Sequence, residues 1–331
     1  MVILKDIADK LNLSIATVSR VLNNDESLNV PESTREKVLA TAKAMGYIKK
    51  TNKLASRRKN VIGVIMWYTQ DEVLNDPYFI EIRRGIEQMA ELEDTKIITI
   101  YKQKNHAYHL DDLKSCHGLI AIGKFSEKQI QDFESVSKHI VFVDSSPNEF
   151  KFSSVVIDFR DAMKQVINYI LSLNETDIAY LGAYEKVENE LLYGERRKTF
   201  FLNALKKRHL YQADLVKIGL FNQDSGYQNM KKILQVKTPN LVFCANDSIA
   251  IGALKAIREK NLNIPKDIKV IGFNDNLESR YYFTPPLTTL HVPTFEMGEE
   301  AFLSCVQSIQ RNQAIPHKKV MPTKLIIRES A

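Results

Sequence analysis

The 331-residue chain contains no apolar run near the ~20 residues that a bilayer-spanning helix needs. No membrane partner is therefore expected. The first residues read straight into a polar helical pattern, so a secretory leader is not expected either. Cysteine is scarce: Cys116, Cys244 and Cys305 are odd in number and far apart. That excludes a disulfide framework and fits reduced core thiols in a cytoplasmic protein. Catalytic signatures are missing too. There is no nucleophile elbow, paired-carboxylate signature or dinucleotide fingerprint, so neither an enzyme nor a bound cofactor is expected. His106 and His109 have no carboxylate or cysteine at metal-ligand spacing and read as surface-loop residues. No internal repeat or low-complexity segment occurs.

One near-miss is instructive. Gly118-Leu119-Ile120-Ala121-Ile122-Gly123-Lys124 has the spacing of a phosphate-binding loop, but Phe125 stands where Ser or Thr belongs. The four residues between the glycines read as a buried strand, whereas a phosphate loop needs pliable backbone ahead of a helix. Lys124 is left free to face a cleft at the strand end.

What is present in excess is positive charge, and it is localised. The chain carries 46 Lys or Arg against 40 Asp or Glu, a net charge of +6. Residues 1–60 hold twelve of the former and six of the latter, so this segment accounts for the whole surplus. A neutral body with a cationic end is the electrostatic footprint of a polyanion binder.

The cationic end has helical texture. Leu4, Ile7, Ala8 and Leu11 recur at three- and four-residue spacing and make one helix face apolar. Leu13 lies in a short turn, and Ser14 is placed to cap the next helix through its hydroxyl. Val18, Val21 and Leu22 face inward, leaving Ile15, Ala16, Ser19 and Arg20 outward. A third helix starts near Pro31, with Val38, Ala42 and Met45 completing a small core and Gly46 as its terminator. By periodicity alone this is either a DNA-reading helix-turn-helix or another small helical bundle.

The residues themselves are more specific. Leu4-Lys5-Asp6-Ile7-Ala8, Ser19-Arg20-Val21-Leu22-Asn23, Thr34-Arg35-Glu36-Lys37-Val38 and Gly46-Tyr47 resemble the headpiece of the LacI/GalR family of transcriptional regulators, without a gap. Within it, the nearest likeness is to repressors of galactose and galactoside operons. The resemblance implies an all-α helix-turn-helix headpiece over residues 1–48 and a hinge over 49–60. It also implies a two-lobed, periplasmic-binding-protein-like α/β effector domain of doubly wound parallel sheets over 61–331. In such a headpiece the second helix enters the major groove. Arg20 is the candidate for bidentate pairing with guanine, with Ile15 and Ala16 against thymine methyls. Ser14, Thr17, Ser19 and Asn23 are candidates for phosphate contacts. The linker from Lys49 to Asn60 holds six cationic and no acidic residues. By resemblance, Leu54 is the side chain that wedges into the minor groove.

From Val61 the texture becomes alternating strand and helix, the pattern of parallel sheets covered on both faces. Strands are expected at Val61–Ile65, Lys96–Tyr101, Gly118–Ile122, His139–Asp144, Ser154–Asp158, Ile178–Leu181, Asn240–Cys244, Lys269–Phe273 and Thr288–Val292. Helices are expected at Tyr78–Leu92, Arg160–Leu173, Arg196–Lys207 and Ser248–Lys260. So long a segment exceeds one comfortable sheet, which implies two lobes and a cleft. The expected lobes are about 61–159 with 291–320, and about 160–290 with 321–331.

Ligands of such sheets bind beyond the carboxyl ends of the strands. A sugar needs amides, carboxylates and arginine for its hydroxyls and an aromatic face for its C–H surface. The family's effector-site motifs fall on Asn75-Asp76-Pro77-Tyr78-Phe79, on Arg197, on Phe221, and on Ala245-Asn246-Asp247-Ser248. They imply an effector site of Trp67, Tyr78, Phe79, Asp144, Arg197, Phe221, Asn246 and Asn274. Two departures stand out: Phe200 replaces a glycine of the Arg197 motif, and Asn274 replaces the usual aspartate.

The expectation is a cytoplasmic, homodimeric repressor bound to a double-stranded, pseudo-palindromic operator and released by a small sugar, galactose or a galactoside. The chain ends soon after Arg328 without a leucine heptad tail, which favours a dimer over a tetramer. Two alternatives differ in class: a regulator gated by a phosphocarrier protein, and a sugar-modifying enzyme on the same architecture.

Overall fold

A computed structural model describes residues 4–22, 30–45, 60–73, 76–187, 190–191, 195–281, 283–311 and 315–331. The chain divides into two compact units, Met1–Arg58 and Lys59–Ala331.

In the first unit, α1 (Leu4–Leu11), α2 (Ile15–Leu22) and α3 (Glu32–Ala44) surround one small core. Ile7, Ala8, Val18, Val21, Val38 and Ala42 are buried in it, with Leu4, Leu11, Leu13, Leu22, Val30 and Met45 packed around them. The turn before α2 is closed by Ser14, whose Oγ accepts from the Thr17 amide at 3.0 Å and meets the Thr17 hydroxyl at 2.8 Å. That satisfies one of the donors a helix start leaves free. Gly46, Tyr47 and the hinge up to residue 59 lie outside the described residues, as do Asn23, Leu54 and Asn75.

The second unit begins with β1 (Val61–Met66), α4 (Gln70–Val73), α5 (Pro77–Leu92), β2 (Lys96–Tyr101), β3 (Gly118–Ile122), α6 (Glu127–Val136), β4 (Ile140–Val143) and β5 (Ser153–Ile157). It continues with α7 (Phe159–Ser172), β6 (Ile178–Ala183), a small hairpin of β7 (Lys186–Val187) and β8 (Glu190–Leu191), α8 (Arg196–Lys207), β9 (Val216–Gly219), α9 (Gln223–Val236), β10 (Leu241–Cys244) and α10 (Asp247–Glu259). It ends with β11 (Lys269–Asn274), α11 (Leu277–Tyr281), β12 (Thr288–His291), α12 (Thr294–Arg311), β13 (Lys318–Met321) and β14 (Lys324–Ile326).

These strands form two six-stranded sheets, ordered β13-β5-β4-β3-β1-β2 and β14-β12-β11-β10-β6-β9. Within these two sheets every pairing is parallel except that of β12 with β14, and the separate β7–β8 hairpin is antiparallel. The chain leaves the first sheet after β5 and returns through α12, which packs on α5 and over β3, β4 and β5. It crosses again between β13 and β14. Strands such as β3 are buried along their whole length, as parallel strands covered on both faces must be. Each sheet reverses its winding once, between β1 and β3 in one lobe and between β6 and β10 in the other. The carboxyl ends at such reversals are where doubly wound sheets open a crevice.

Candidate functional site

A cleft lies between the two lobes, and strand ends and helix starts from both supply its walls. In the first lobe, Trp67 and Tyr68 follow β1 and stack with centroids 4.8 Å apart. Phe79 stands edge-on to Tyr68 at 4.9 Å. Asp76 caps α5 by accepting from the Tyr78 amide at 3.2 Å, with Pro77 in the first turn where its missing N–H costs nothing. The Tyr78 hydroxyl donates to Asp144 Oδ1 at 2.9 Å. Burial and Asp144 push the Tyr78 pKa up, so the phenol keeps its proton. Asp144 follows β4 with φ 67° and lines the cleft.

Lys124 follows β3 and joins the lobes. Its Nζ lies 2.5 Å from Glu185 Oε1 in the other lobe and 3.8 Å from Asp144 Oδ2, over the Trp67 ring at 5.5 Å. Gly123 sets this approach: at φ 112°, a Cβ there would meet Trp67 Cβ at 2.3 Å. The spacing that resembled a phosphate loop thus serves the packing of Trp67 against a strand end.

In the second lobe Glu195 caps α8, accepting from the amides of Arg197 at 3.1 Å and Lys198 at 2.7 Å. Arg197 Nε donates to the same carboxylate at 2.5 Å, and Nη1 donates to the Ala245 carbonyl at 2.6 Å. The guanidinium lies 5.0 Å from the Phe221 ring, 5.2 Å from Phe273 and 5.9 Å from Phe159. Burial works against its charge, but Glu195 and Glu185 outweigh that and hold the guanidinium firmly protonated. Burial also works against the Glu195 carboxylate, and Arg197 overcomes it, keeping Glu195 below the usual range. Burial dominates at Asp76 and raises it to about 6 despite hydrogen bonds from Tyr78 and Asn246.

Of the eight effector candidates, Trp67, Tyr78, Phe79, Asp144, Arg197, Phe221 and Asn274 line this one cavity. Asn274 does so with φ 115°. Asn246 lies one layer behind. It is fully buried, accepts from the Ile249 amide at 2.9 Å to cap α10, and donates to Asp76 Oδ2 at 3.1 Å across the lobes. The reading from sequence passed over Tyr68, Phe159, Glu185 and Phe273, and did not single out Asp76. Asp76 had a signal, a capping residue immediately before proline. Glu185 had none, because its partner lies 61 residues away in the other lobe.

The walls stand close. The free space is about 30 Å³, enough for a few waters. Formed small-molecule pockets measure ~300–1,000 Å³, so the cleft as it stands is narrower than a bound sugar needs.

In the headpiece, Ile15 is 48 % exposed and Arg20 is exposed, whereas Thr17 and Ser19 are half-buried. Ser14 and Thr17 spend polar groups on each other. The Ala16 side chain lies outside what is described. Cys116, Cys244 and Cys305 are free and buried. Burial pushes the Cys116 thiol up to about 11 and Cys305 to about 12, which keeps both unreactive at neutral pH. Among the described residues no cluster of His, Cys, Asp or Glu is arranged to hold a metal, and no helix is long and apolar enough to cross a membrane.

A helix-turn-helix unit joined to a two-lobed binding unit defines a ligand-responsive, DNA-binding transcriptional regulator. Residues 3–50 match the bacterial regulatory proteins of the lacI family, and residues 167–331 match a periplasmic binding protein-like domain. The chain is 34% identical to the HTH-type transcriptional repressor MelR of Bacillus subtilis (strain 168), over 100% of this chain and 97% of that protein. It is 33% identical to the HTH-type transcriptional regulator GalR of Streptococcus thermophilus, over 100% and 99% of the two chains. Among solved structures, a transcriptional regulator CelR–cellobiose complex shares its fold with TM-score 0.70 at 23% identity, covering 100% of both chains. The chain belongs to the lacI family of bacterial regulatory proteins.

Proposed function

We propose that this regulator is a cytoplasmic homodimeric repressor of a sugar-utilisation operon, released from its operator by a small sugar of the galactose or galactoside class. The observation that carries the sugar reading is the cleft itself. Stacked aromatic faces stand beside carboxylates and a guanidinium at opposed strand ends, the surfaces a pyranose requires. The names of the relatives, GalR and MelR, point to the same chemistry. Arg20 and Ile15 on the exposed face of α2, together with Ala16, are the proposed base readers, and Ser14, Thr17, Ser19 and Asn23 the phosphate contacts. Leu54 is the proposed wedge of a paired hinge. Two such readers suit a pseudo-palindromic site, since protein two-fold symmetry is mirrored in the operator. No catalytic role is assigned to any residue. The sugar acts by binding the open and closed cleft with different affinity, which biases how the paired headpieces sit on DNA.

A gel-shift titration of the full chain against its own upstream promoter fragment tests this. Binding is expected, weakening steeply with salt as phosphate counterions are released, and lost on addition of galactose, melibiose or lactose. Failure to retard the fragment with and without these sugars would overturn the proposal.

A further inference from the structure

We infer that the cleft takes an uncharged sugar and rejects its phosphorylated form, and that Glu185 with Asp144 enforces the choice by neutralising Lys124. This rests on the sugar-sensor reading above and specifies its ligand class. Three observations converge on it.

The first is the state of the cations. Among the described lining residues only Lys124 and Arg197 are cationic. Lys124 is held at 2.5 Å by Glu185 and faces Asp144 at 3.8 Å. Arg197 is held at 2.5 Å by Glu195, 3.9 Å from Glu185, and gives Nη1 to a backbone carbonyl. An arriving phosphate thus meets Arg197 engaged by Glu195 and Lys124 beside Asp144 within their own lobes, and must compete with Glu185 for Lys124 when the lobes come together.

The second is the state of the helix starts. A helix N-terminus is the usual backbone site for phosphate, because its free amides and dipole favour an anion. Five long helices begin beside this cleft, and each start is closed by the chain itself, that of α9 by Asn222, which accepts from the Ser225 amide at 2.8 Å. Asp76 accepts from the α5 amide of Tyr78, and Asp158 accepts from the α7 amides of Arg160 at 2.8 Å and Asp161 at 3.2 Å. Glu195 accepts from the α8 amides, and Asn246 from that of Ile249 in α10. Three of these five caps are carboxylates, which compete for the place a phosphate would take.

The third is the charge that remains. Asp76, Asp144 and Glu185 all line a cavity with little free space. A phosphoryl group brings about −1.5 to −2 charges into a poorly solvated space beside three carboxyl groups. Sugar hydroxyls, by contrast, can donate to those carboxylates and accept from Lys124 once it leaves Glu185.

Isothermal titration of the full-length protein tests this with galactose against galactose 6-phosphate, and with melibiose and cellobiose as further neutral probes. The neutral sugar is expected to bind at least about 100-fold tighter than its phosphate, the scale at which juxtaposed like charges act. Glu185→Gln releases Lys124 and is expected to narrow that ratio about tenfold. Asp144→Asn, a residue that tolerates the same positive φ, is expected to narrow it in the same direction. Galactose 6-phosphate binding within tenfold of galactose, or tighter, overturns the inference and leaves the sensor reading standing. An unchanged ratio in both variants overturns the assignment to these carboxylates. If no sugar of either kind binds, the sensor reading falls and the inference falls with it.

Discussion

Arg197 shows how one side chain can serve a site and hold it together. Its Nε and Nη1 are already committed to Glu195 and Ala245, and its plane lies among three phenylalanine rings. Removing it leaves Glu195 buried, with the Tyr180 hydroxyl and two helix amides as its remaining partners among the described residues. Breaking a buried ion pair from one side typically costs ~3–5 kcal/mol. Arg197→Ala is therefore expected to abolish the sugar response and also to lower the thermal midpoint of the sensing unit. Operator binding should persist at temperatures where the unit remains folded. Arg197→Lys keeps the charge but loses the planar fork, so it should recover only part of either property. Thermal unfolding and operator titration with galactose read the two effects separately. A variant that lost induction at an unchanged midpoint would show that the guanidinium contributes nothing to the lobe's stability.

At the scale of elements, each lobe rests on a pair of helices brought together by reciprocal glycines. A Cβ on Gly85 of α5 would meet the Phe295 carbonyl at 2.0 Å, and one on Gly298 of α12 would meet that of Ile82 at 2.0 Å. In the other lobe, Gly226 of α9 faces the Ile249 carbonyl at 2.2 Å and Gly252 of α10 faces that of Gln223 at 1.9 Å. Backbone cannot swing aside like a flexible side chain, so an added methyl must part the helices. Gly298→Ala is expected to cost about 1–3 kcal/mol as overpacking. It should lower the midpoint by several degrees, measured by calorimetry, and a stabilised variant would contradict the close approach. These pairings were not legible in the chain, because α9 and α12 did not stand out as helices. The half-buried β9 and the late strands β13 and β14 were likewise unread. Continuous apolar strands such as β1 and β3 were readable because parallel strands are buried on both faces. The cleft was legible where a residue sits inside a local motif, as Tyr78, Arg197 and Asn246 do. It was not legible where the meaning lies in pairing across lobes. The bond from Lys124 to Glu185 and that from Asn246 to Asp76 exist only once both sheets have formed.

At the scale of the whole sensing unit, buried carboxylates set a pH dependence of definite sign. Asp76 is pushed up to about 6 and Asp247 to about 7, in both cases chiefly by burial. Asp247 accepts from the Thr289 hydroxyl at 2.7 Å and the Asn276 amide at 2.7 Å, but among the described residues no cation pairs with it to offset the lost water. In the unfolded chain an aspartate titrates near ~3.9. Between about pH 4 and pH 7 the folded unit therefore holds protons that the unfolded chain has released, and its stability falls as pH rises through that window. Asp275 and Glu195 act oppositely. Burial works against their charge, but Asp275 is held below the usual range by hydrogen bonds from His291, Arg328 and Arg280, and Glu195 by Arg197. Their contribution is present at neutral pH and is lost only on stronger acidification. Through these four groups the unit is favoured in mildly acidic over alkaline solution, while the lowered pKa of half-buried His139 acts in the opposite direction near neutrality. The thermal midpoint of the full chain is expected to be higher at pH 5.5 than at pH 8, and Asp76→Asn, which leaves nothing to titrate there, should flatten the slope. Calorimetry across that range decides it, and a midpoint that climbed steadily toward pH 8 would contradict the assignment. Because Asp76 is also the acceptor that ties Asn246 across the lobes, the same burial that costs stability at neutral pH favours parting of the cleft, where the carboxylate regains water.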